Sequence, residues 1–305
     1  MTRVAVIGAG SFGKNHVRVV TESARAELKY IVDPDPTRAG VSDYREVIGR
    51  VDAAIVAVPT SLHAEIGCAL LEAGIDVLVE KPIAPTLEEA ARLVETSERN
   101  RRILQVGHLE RFNPAVIALE RLARLPLFFE IHRMSVFTLR SLDVDVVLDL
   151  MIHDLDIVLS LARGELKDIR AAGISILSPK VDIANVRLEF DDGCIANLTA
   201  SRVSTEKVRK LRMFQPQQYI SADYAKQSAA VFTVGGPDGI AFEQLPIEPA
   251  EPLKLQFESF LDAVENRHKP KLNGATARKT LEIALAVLAK IKEHAGVVEK
   301  TLASG

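Results

Sequence analysis

The run Gly8-Ala9-Gly10-Ser11-Phe12-Gly13 narrows the possible folds of this chain more than any other stretch. It follows a short β-branched run, Arg3 to Ile7, and precedes a helix-forming stretch from about Lys14 to Ser23. A second strand, Leu28 to Val32, ends in Asp33, 20 residues past the last glycine. Alone, G-x-G-x-x-G describes any glycine-rich turn. With a strand before it, a helix after it and an acid at this distance, it predicts a dinucleotide-binding loop. The first glycine permits the tight turn and the second lets the backbone approach a pyrophosphate. The third lets helix and strand pack closely, which aims the helix N-terminus at the negative charge. A carboxylate at Asp33 accepts hydrogen bonds from ribose hydroxyls and repels a 2′-phosphate, so NAD is expected rather than NADP. Arg38 lies five residues on, in a helix start rather than beside Asp33.

Alternation of strand and helix continues. Ala53 to Val58 reads as a buried strand ending in Pro59-Thr60, His63 to Ala73 as a helix stopped by Gly74, and Val77 to Val79 as a strand running into Glu80-Lys81-Pro82. Thr86 caps a helix, Leu87 to Asn100, in a T-x-x-E pattern with Glu89, and Ile103 to Val106 is one more strand. Such βαβ repetition implies a parallel sheet with its ligand at the carboxyl ends of the strands, where Pro59, Lys81 and His108 all sit. The dinucleotide is therefore expected at Gly8, Gly10, Ser11, Phe12 and Gly13, at Asp33, at Val58, Pro59, Thr60 and His63, and at Glu80 and Lys81.

The pattern changes after Arg111-Phe112-Asn113-Pro114. A helix, Ala115 to Arg124, leads to a strand, Phe128 to Met134. Later strands alternate: Val186, Leu188 and Phe190 against Arg187 and Glu189, with Asp191-Asp192-Gly193 as a hairpin turn. Ile195 to Val203 and Lys210 to Phe214 continue the meander, and helices at Leu255 to Asn266 and Ala275 to Glu293 close the chain. The expected fold class is α/β: an N-terminal Rossmann domain (1–122), then an α+β domain (123–305) built on a mostly antiparallel open sheet. At 305 residues, two domains are also what core size predicts.

One helical stretch stands apart. Val144 to Ala162 has neither Gly nor Pro, and its polar residues Asp145, Asp149, His153, Asp156 and Ser160 form one narrow stripe at 3.6 residues per turn. Asp154 is the main exception in an otherwise apolar circumference. The stripe either faces a cleft, where Asp149 orients His153 as a base, or simply faces water.

A net charge of -3 gives no general attraction to nucleic acid or to an anionic membrane. Strand-like residues begin at Arg3, no apolar run approaches a bilayer span, and Cys68 and Cys194 make neither a metal spacing nor a disulfide framework. A cytoplasmic protein without a signal peptide, transmembrane segment or metal site is expected.

Taken together, Gly8 to Gly13, Glu80-Lys81-Pro82 and the Asp149/His153 pair resemble the glucose-fructose oxidoreductase/inositol dehydrogenase/MocA family over essentially the full length. The resemblance implies a cis peptide at Lys81-Pro82, and dimers or tetramers formed through the open C-terminal sheet. It also implies a catalytic set of Lys81, Asp149 and His153. Within the family, Gly107 to Pro114 and Asp149 to Asp156 resemble the subgroup that oxidises C3 of UDP-N-acetylglucosamine to a 3-keto sugar. Substrate contacts are expected among His108, Glu110, Arg111, Asn113, Arg133 and Arg140, an arginine being suited to a diphosphate. Two alternatives stand beside this: a dehydrogenase of a free polyol or other sugar, and a dinucleotide-sensing regulator without chemistry. The retained Lys81, Asp149 and His153 speak against the sensor.

Overall fold

A computed structural model describes residues 1–138, 144–235 and 239–303, the last with side chains to 297. It divides into two compact units, residues 1–109 with 251–281, and residues 110–250 with 282–305. The expected single cut at 122/123 thus differs from the observed division in two ways. The first sheet ends earlier, and a later segment returns to it.

In the first unit, β1 (Thr2–Ile7), β2 (Ala26–Val32), β3 (Ala53–Val56), β4 (Asp76–Glu80) and β5 (Leu104–Gly107) form a parallel sheet in the order β2-β1-β3-β4-β5. Strands β3 and β4 are buried along their whole length, as befits a parallel sheet covered on both faces. The connecting helices are α1 (Gly13–Glu22), α2 (His63–Glu72) and α3 (Leu87–Arg99), the last capped by Thr86, whose Oγ1 accepts the Glu89 N–H at 3.2 Å. Strand order reverses at β1, between β2 and β3, and that reversal is where a sheet of this kind opens a ligand crevice. The helix α6 (Pro252–Asn266) joins this unit because its Phe257, Phe260 and Leu261 pack against Val4, Val6, Ile55 and Leu78.

The second unit begins with α4 (Pro114–Leu122) and β6 (Phe128–Val136). A π-turn at Val147–Met151 then runs into α5 (Ile152–Leu161). Seven strands follow: β7 (Leu166–Ile174), β8 (Ile183–Phe190), β9 (Ile195–Ser204), β10 (Val208–Gln215), β11 (Gln218–Asp223), β12 (Ser228–Val234) and β13 (Ile240–Gln244). They form a sheet with β6 in the order β13-β12-β11-β10-β6-β9-β8-β7, antiparallel except where β6 meets β9. The predicted alternation in β8 is present, with Val186, Leu188 and Phe190 buried and Arg187 exposed. Gly193, at φ 85°, turns the hairpin. One sheet face packs on α4, α5 and the distal part of α7 (Gly274–Ala303) through Phe129, Leu211, Leu155 and Val287.

The expectation of one regular helix from Val144 to Ala162 needs correction. Residues Val147–Met151 wind as a π-turn, with the Ile152 N–H reaching the Val147 carbonyl, before α5 begins. Nor is the polar set one wet stripe, because Asp154 and Asp156 are each 1% exposed. Asp154 receives Arg133 in a forked pair, Nε to Oδ2 at 2.7 Å and Nη2 to Oδ1 at 2.8 Å. Arg133 also donates to Glu110 at 2.9 Å, and Glu110 receives Arg209 at 2.7 Å. Two carboxylates and two guanidiniums thus neutralise one another inside the core, which makes the charges tolerable there. Arg133→Leu should lower the unfolding free energy by about 3–5 kcal/mol, because Asp154 is left buried without its partner. Urea titration measures this; a change below about 1 kcal/mol would contradict the assignment.

Candidate active site

The glycine loop is built as the spacing predicts. A Cβ on Gly13 would lie 1.8 Å from the Gly8 carbonyl oxygen, so α1 starts in contact with the loop, and only glycine permits that. Gly8 itself has φ +91°, and a Cβ there would meet the Ala57 carbonyl at 2.6 Å. Gly10 differs, because no atom of the described residues lies within 4 Å of its would-be Cβ. The protein's own packing does not demand glycine at that position, while the close approach of a pyrophosphate does. Asp33, 5% exposed, is turned onto the loop: Oδ2 accepts the Ala9 N–H at 2.8 Å and Oδ1 the Asp35 N–H at 3.0 Å. Each carboxylate oxygen keeps a further lone pair for a ribose hydroxyl. Arg38 is drawn chiefly to Asp35, at 3.0 Å, and stands 3.9 Å from Asp33. The residues present therefore fit a dinucleotide.

Beside this loop lies a cavity of about 370 Å³ walled by Gly8, Val32, Pro34, Tyr44, Val58 and Leu62. Its size and apolar walls suit an adenine ring. Tyr44 and Arg45, whose guanidinium stands 4.7 Å above the Tyr44 ring, have no motif in the sequence. They arrive there because Asp43 caps a 3₁₀ turn at Tyr44–Val47 and Val41 bridges Val32.

At the end of β4 the peptide Lys81-Pro82 is cis, as the resemblance implied. Glu80 accepts the His16 Nε2–H at 2.8 Å on Oε1, and its Oε2 accepts the Lys81 backbone N–H at 3.2 Å. Its carboxyl fits because Gly107 stands opposite, where a Cβ would come within 2.7 Å of Oε1. Glu80 was expected to meet the cofactor, but its carboxylate is committed to the protein. His63 also departs from expectation. It is 1% exposed and lodged between two strand ends, with Nδ1 3.0 Å from the Pro82 carbonyl oxygen and Nε2 3.0 Å from that of Val58. Burial holds its pKa below the ordinary value, against the pull of those carbonyls. Val58 lines the cavity, whereas Ser11, Phe12 and Pro59 are exposed, and Thr60 and Lys81 are half-buried. His16 was missed; its only signal is a polar residue on the buried face of α1, one turn after Gly13.

In the second unit, Asp149 and His153 are both partly exposed, Asp149 in the π-turn and His153 in the first turn of α5. A π-turn is an irregularity found often at functional sites. The expected substrate contacts fare differently. Arg133 and Glu110 belong to the buried charge network, and Arg111 donates to Glu120 at 2.7 Å and to Asp156 at 3.4 Å. Asn113 caps α4 through the Ala115 N–H at 3.1 Å and donates to the Tyr224 carbonyl at 3.1 Å. His108 is 1% exposed. These side chains are taken up by protein partners or burial, and a diphosphate would have to break strong ion pairs to use Arg111 or Arg133. Arg140 lies outside the described residues. Among those described, no group of three or more His, Cys, Asp or Glu side chains could hold a metal.

Comparison with known proteins agrees with this geometry. Residues 2–108 match the oxidoreductase family GFO/IDH/MocA, NAD-binding Rossmann fold, and residues 127–217 match the GFO/IDH/MocA C-terminal domain. The chain belongs to the GFO/IDH/MocA family. It is an NAD-dependent oxidoreductase. It is 32% identical over 301 residues to UDP-N-acetylglucosamine 3-dehydrogenase of Acidithiobacillus ferrooxidans, covering 93% of this chain and 96% of that one. The solved structure of that enzyme matches with a TM-score of 0.92 at 30% identity, over 96% of this chain and 98% of the other. The scyllo-inositol 2-dehydrogenase (NAD(+)) of Bacillus subtilis is 26% identical over 93% of this chain and 92% of its own.

Asp33 generates a prediction for this GFO/IDH/MocA domain. NAD should bind better than NADP by roughly 1–3 kcal/mol, the cost of leaving a buried charge unmatched. Asp33→Ser should narrow the gap and also weaken NAD, because the Ala9 N–H loses its acceptor. Calorimetric titration of both cofactors checks this, and NADP binding equal to NAD in the wild type would contradict it.

Proposed function

We propose that the protein oxidises the C3 hydroxyl of the sugar in UDP-N-acetylglucosamine to a ketone, and that Lys81, Asp149 and His153 carry the chemistry. The observation that supports this reading most is the match to the Acidithiobacillus ferrooxidans 3-dehydrogenase, which extends over nearly the whole of both chains. Bound NAD would supply the hydride acceptor. Gly8, Gly10 and Gly13 bring the loop backbone and the α1 N-terminus to its pyrophosphate, and Asp33 takes the ribose hydroxyls. His153 removes the proton of the reacting hydroxyl, because an imidazole titrates near neutral pH. Asp149 orients that ring and stabilises the imidazolium it becomes. Lys81 donates a hydrogen bond to the same oxygen as negative charge develops on it. Glu80, held between His16 and the Lys81 N–H, fixes the backbone from which Lys81 extends.

The enzyme is further proposed to act as a homo-oligomer through the outer face of the C-terminal sheet. Phe128, Phe214, Tyr219, Phe232 and Phe242 form a ladder there, with successive ring centroids 5.9, 4.9, 5.3 and 5.0 Å apart, and Phe242 is 61% exposed. A contiguous aromatic surface of this kind is uncommon on a monomer. Cys68 and Cys194 are free thiols, which suits a reducing compartment, and the cytoplasm is the proposed location. Among the described residues no helix is long and apolar enough to cross a membrane.

Lys81→Met and His153→Ala should each lower turnover by roughly 10²–10⁴, the range for a lost acid–base group, with NAD affinity held within a few-fold. Asp149→Asn should cost less than losing the histidine. The assay is NADH formation with a carbonyl trap, comparing UDP-N-acetylglucosamine, N-acetylglucosamine and myo-inositol. Turnover of inositol but not of the nucleotide sugar would favour the polyol reading, which the match to scyllo-inositol 2-dehydrogenase keeps in view. Light scattering after size exclusion should give a dimer or larger species that Phe232→Glu dissociates; a wild-type monomer would refute the oligomer.

A further inference from the structure

Among the described residues, the helix that carries Asp149 and His153 enters without a side-chain cap of its own, since Val146 precedes the π-turn and makes no capping bond. Its entrance is instead fastened from outside, first of all at one residue of another segment. The Val181 N–H donates to Asp145 Oδ1 at 2.9 Å, and the Val181 carbonyl accepts the Val146 N–H at 3.0 Å. Asp145 in turn accepts the Asp149 N–H on its backbone oxygen at 3.0 Å, so the fastening passes to the backbone of the residue that bears the proposed orienting carboxylate.

Val181 is held by the residue that follows it. Asp182 is fully buried, and its Oδ2 gathers the N–H groups of Ile176, Leu177 and Ser178 at 2.7, 2.6 and 2.9 Å, while Oδ1 accepts the Ser178 hydroxyl at 2.6 Å. Burial would push this carboxyl up, but the Ser178 hydroxyl and the three N–H donors outweigh it and hold its pKa at about 2. It is therefore ionised throughout the neutral range. Arg202, on β9, answers that charge with Nε 3.6 Å from Asp182 Oδ1, and its Nη2 donates to the carbonyls of Val144 and Val181. One buried ion pair thus grips both sides of the joint, the 176–182 loop and the residues leading into the π-turn.

We propose that Asp182 and Arg202 are positioning residues for Asp149 and His153, setting the placement of the π-turn from behind without touching the substrate. The inference rests on the reading of His153 as the base. A wider-wound turn has its N-terminal residues to hold and no cap to hold them, so its placement depends on this external clamp. A misplacement of about 1 Å can cost on the order of 100-fold in rate, so the clamp matters to turnover before it matters to binding.

The test is a double-mutant cycle on turnover, run well below the melting temperature of every variant. Arg202→Met and Asp182→Asn should each lower kcat by roughly 10–100-fold with NAD affinity unchanged within two-fold, and Arg202→Lys should recover part of the loss. In a His153→Ala background the same changes should have almost no further effect, because the group they position is gone. Should Asp182→Asn fail to fold, Ser178→Ala removes one bond to the same carboxylate and should show a smaller loss of the same kind. Wild-type kcat in Arg202→Met and Ser178→Ala, or full additivity with His153→Ala, would overturn the proposal. If His153→Ala alone keeps full activity, the reading of the base has failed, and the clamp falls with it.

Discussion

No atom beyond hydrogen fits on the α-carbon of Gly13, because a Cβ would sit 1.8 Å from the Gly8 carbonyl oxygen. That contact fixes where α1 begins, and the placement of α1 decides much else in the first unit. One turn along, the buried His16 reaches across to Glu80 at the end of β4. Glu80 can stand there only because β5 ends opposite it in Gly107. The same carboxylate accepts the N–H of Lys81, so the backbone of that lysine is tied to the glycine loop through one imidazole and one carboxylate. The cofactor loop and the proposed electrophilic lysine are thus parts of one packing arrangement.

The second unit meets a different constraint. Its long apolar helix must be buried, yet it carries carboxylates on faces that enter the core. Asp154 and Asp156 are satisfied by Arg133 and Arg111, while Asp149 and His153 stay partly exposed. The burial cost of those charges is offset only by near-ideal forked geometry, of the kind Arg133 makes with Asp154. Such pairs add little stability over an apolar core, but removing one partner is expensive. The network therefore acts more to specify how β6, β10, α4 and α5 meet than to strengthen the fold.

Much of this was legible in the sequence, and the exceptions have physical reasons. Glycine spacing reports steric contact directly, so Gly8, Gly10 and Gly13 with Asp33 give the cofactor loop, and period-two alternation gives β8 and its turn. Charge partners leave no local trace: Arg133 finds Asp154 at a separation of 21 residues, and Arg209 finds Glu110 at 99. Read one residue at a time, Arg133 looks like a substrate ligand. The π-turn is equally silent, because an inserted residue changes the winding without changing the apolar content of Val147–Met151. The return of α6 to the first unit was hidden for a related reason, since an amphipathic face does not say which core it will join.

The proposed reaction removes hydride from one carbon of one nucleotide sugar, and isotopic labelling addresses that carbon alone. UDP-N-acetylglucosamine deuterated at C3 of the sugar should transfer its deuterium to the reduced nicotinamide, as read by mass spectrometry of the isolated cofactor. Substrate deuterated only at C4 should give unlabelled NADH. Unlabelled NADH from the C3-deuterated sugar, or label arriving from C4, would contradict the account.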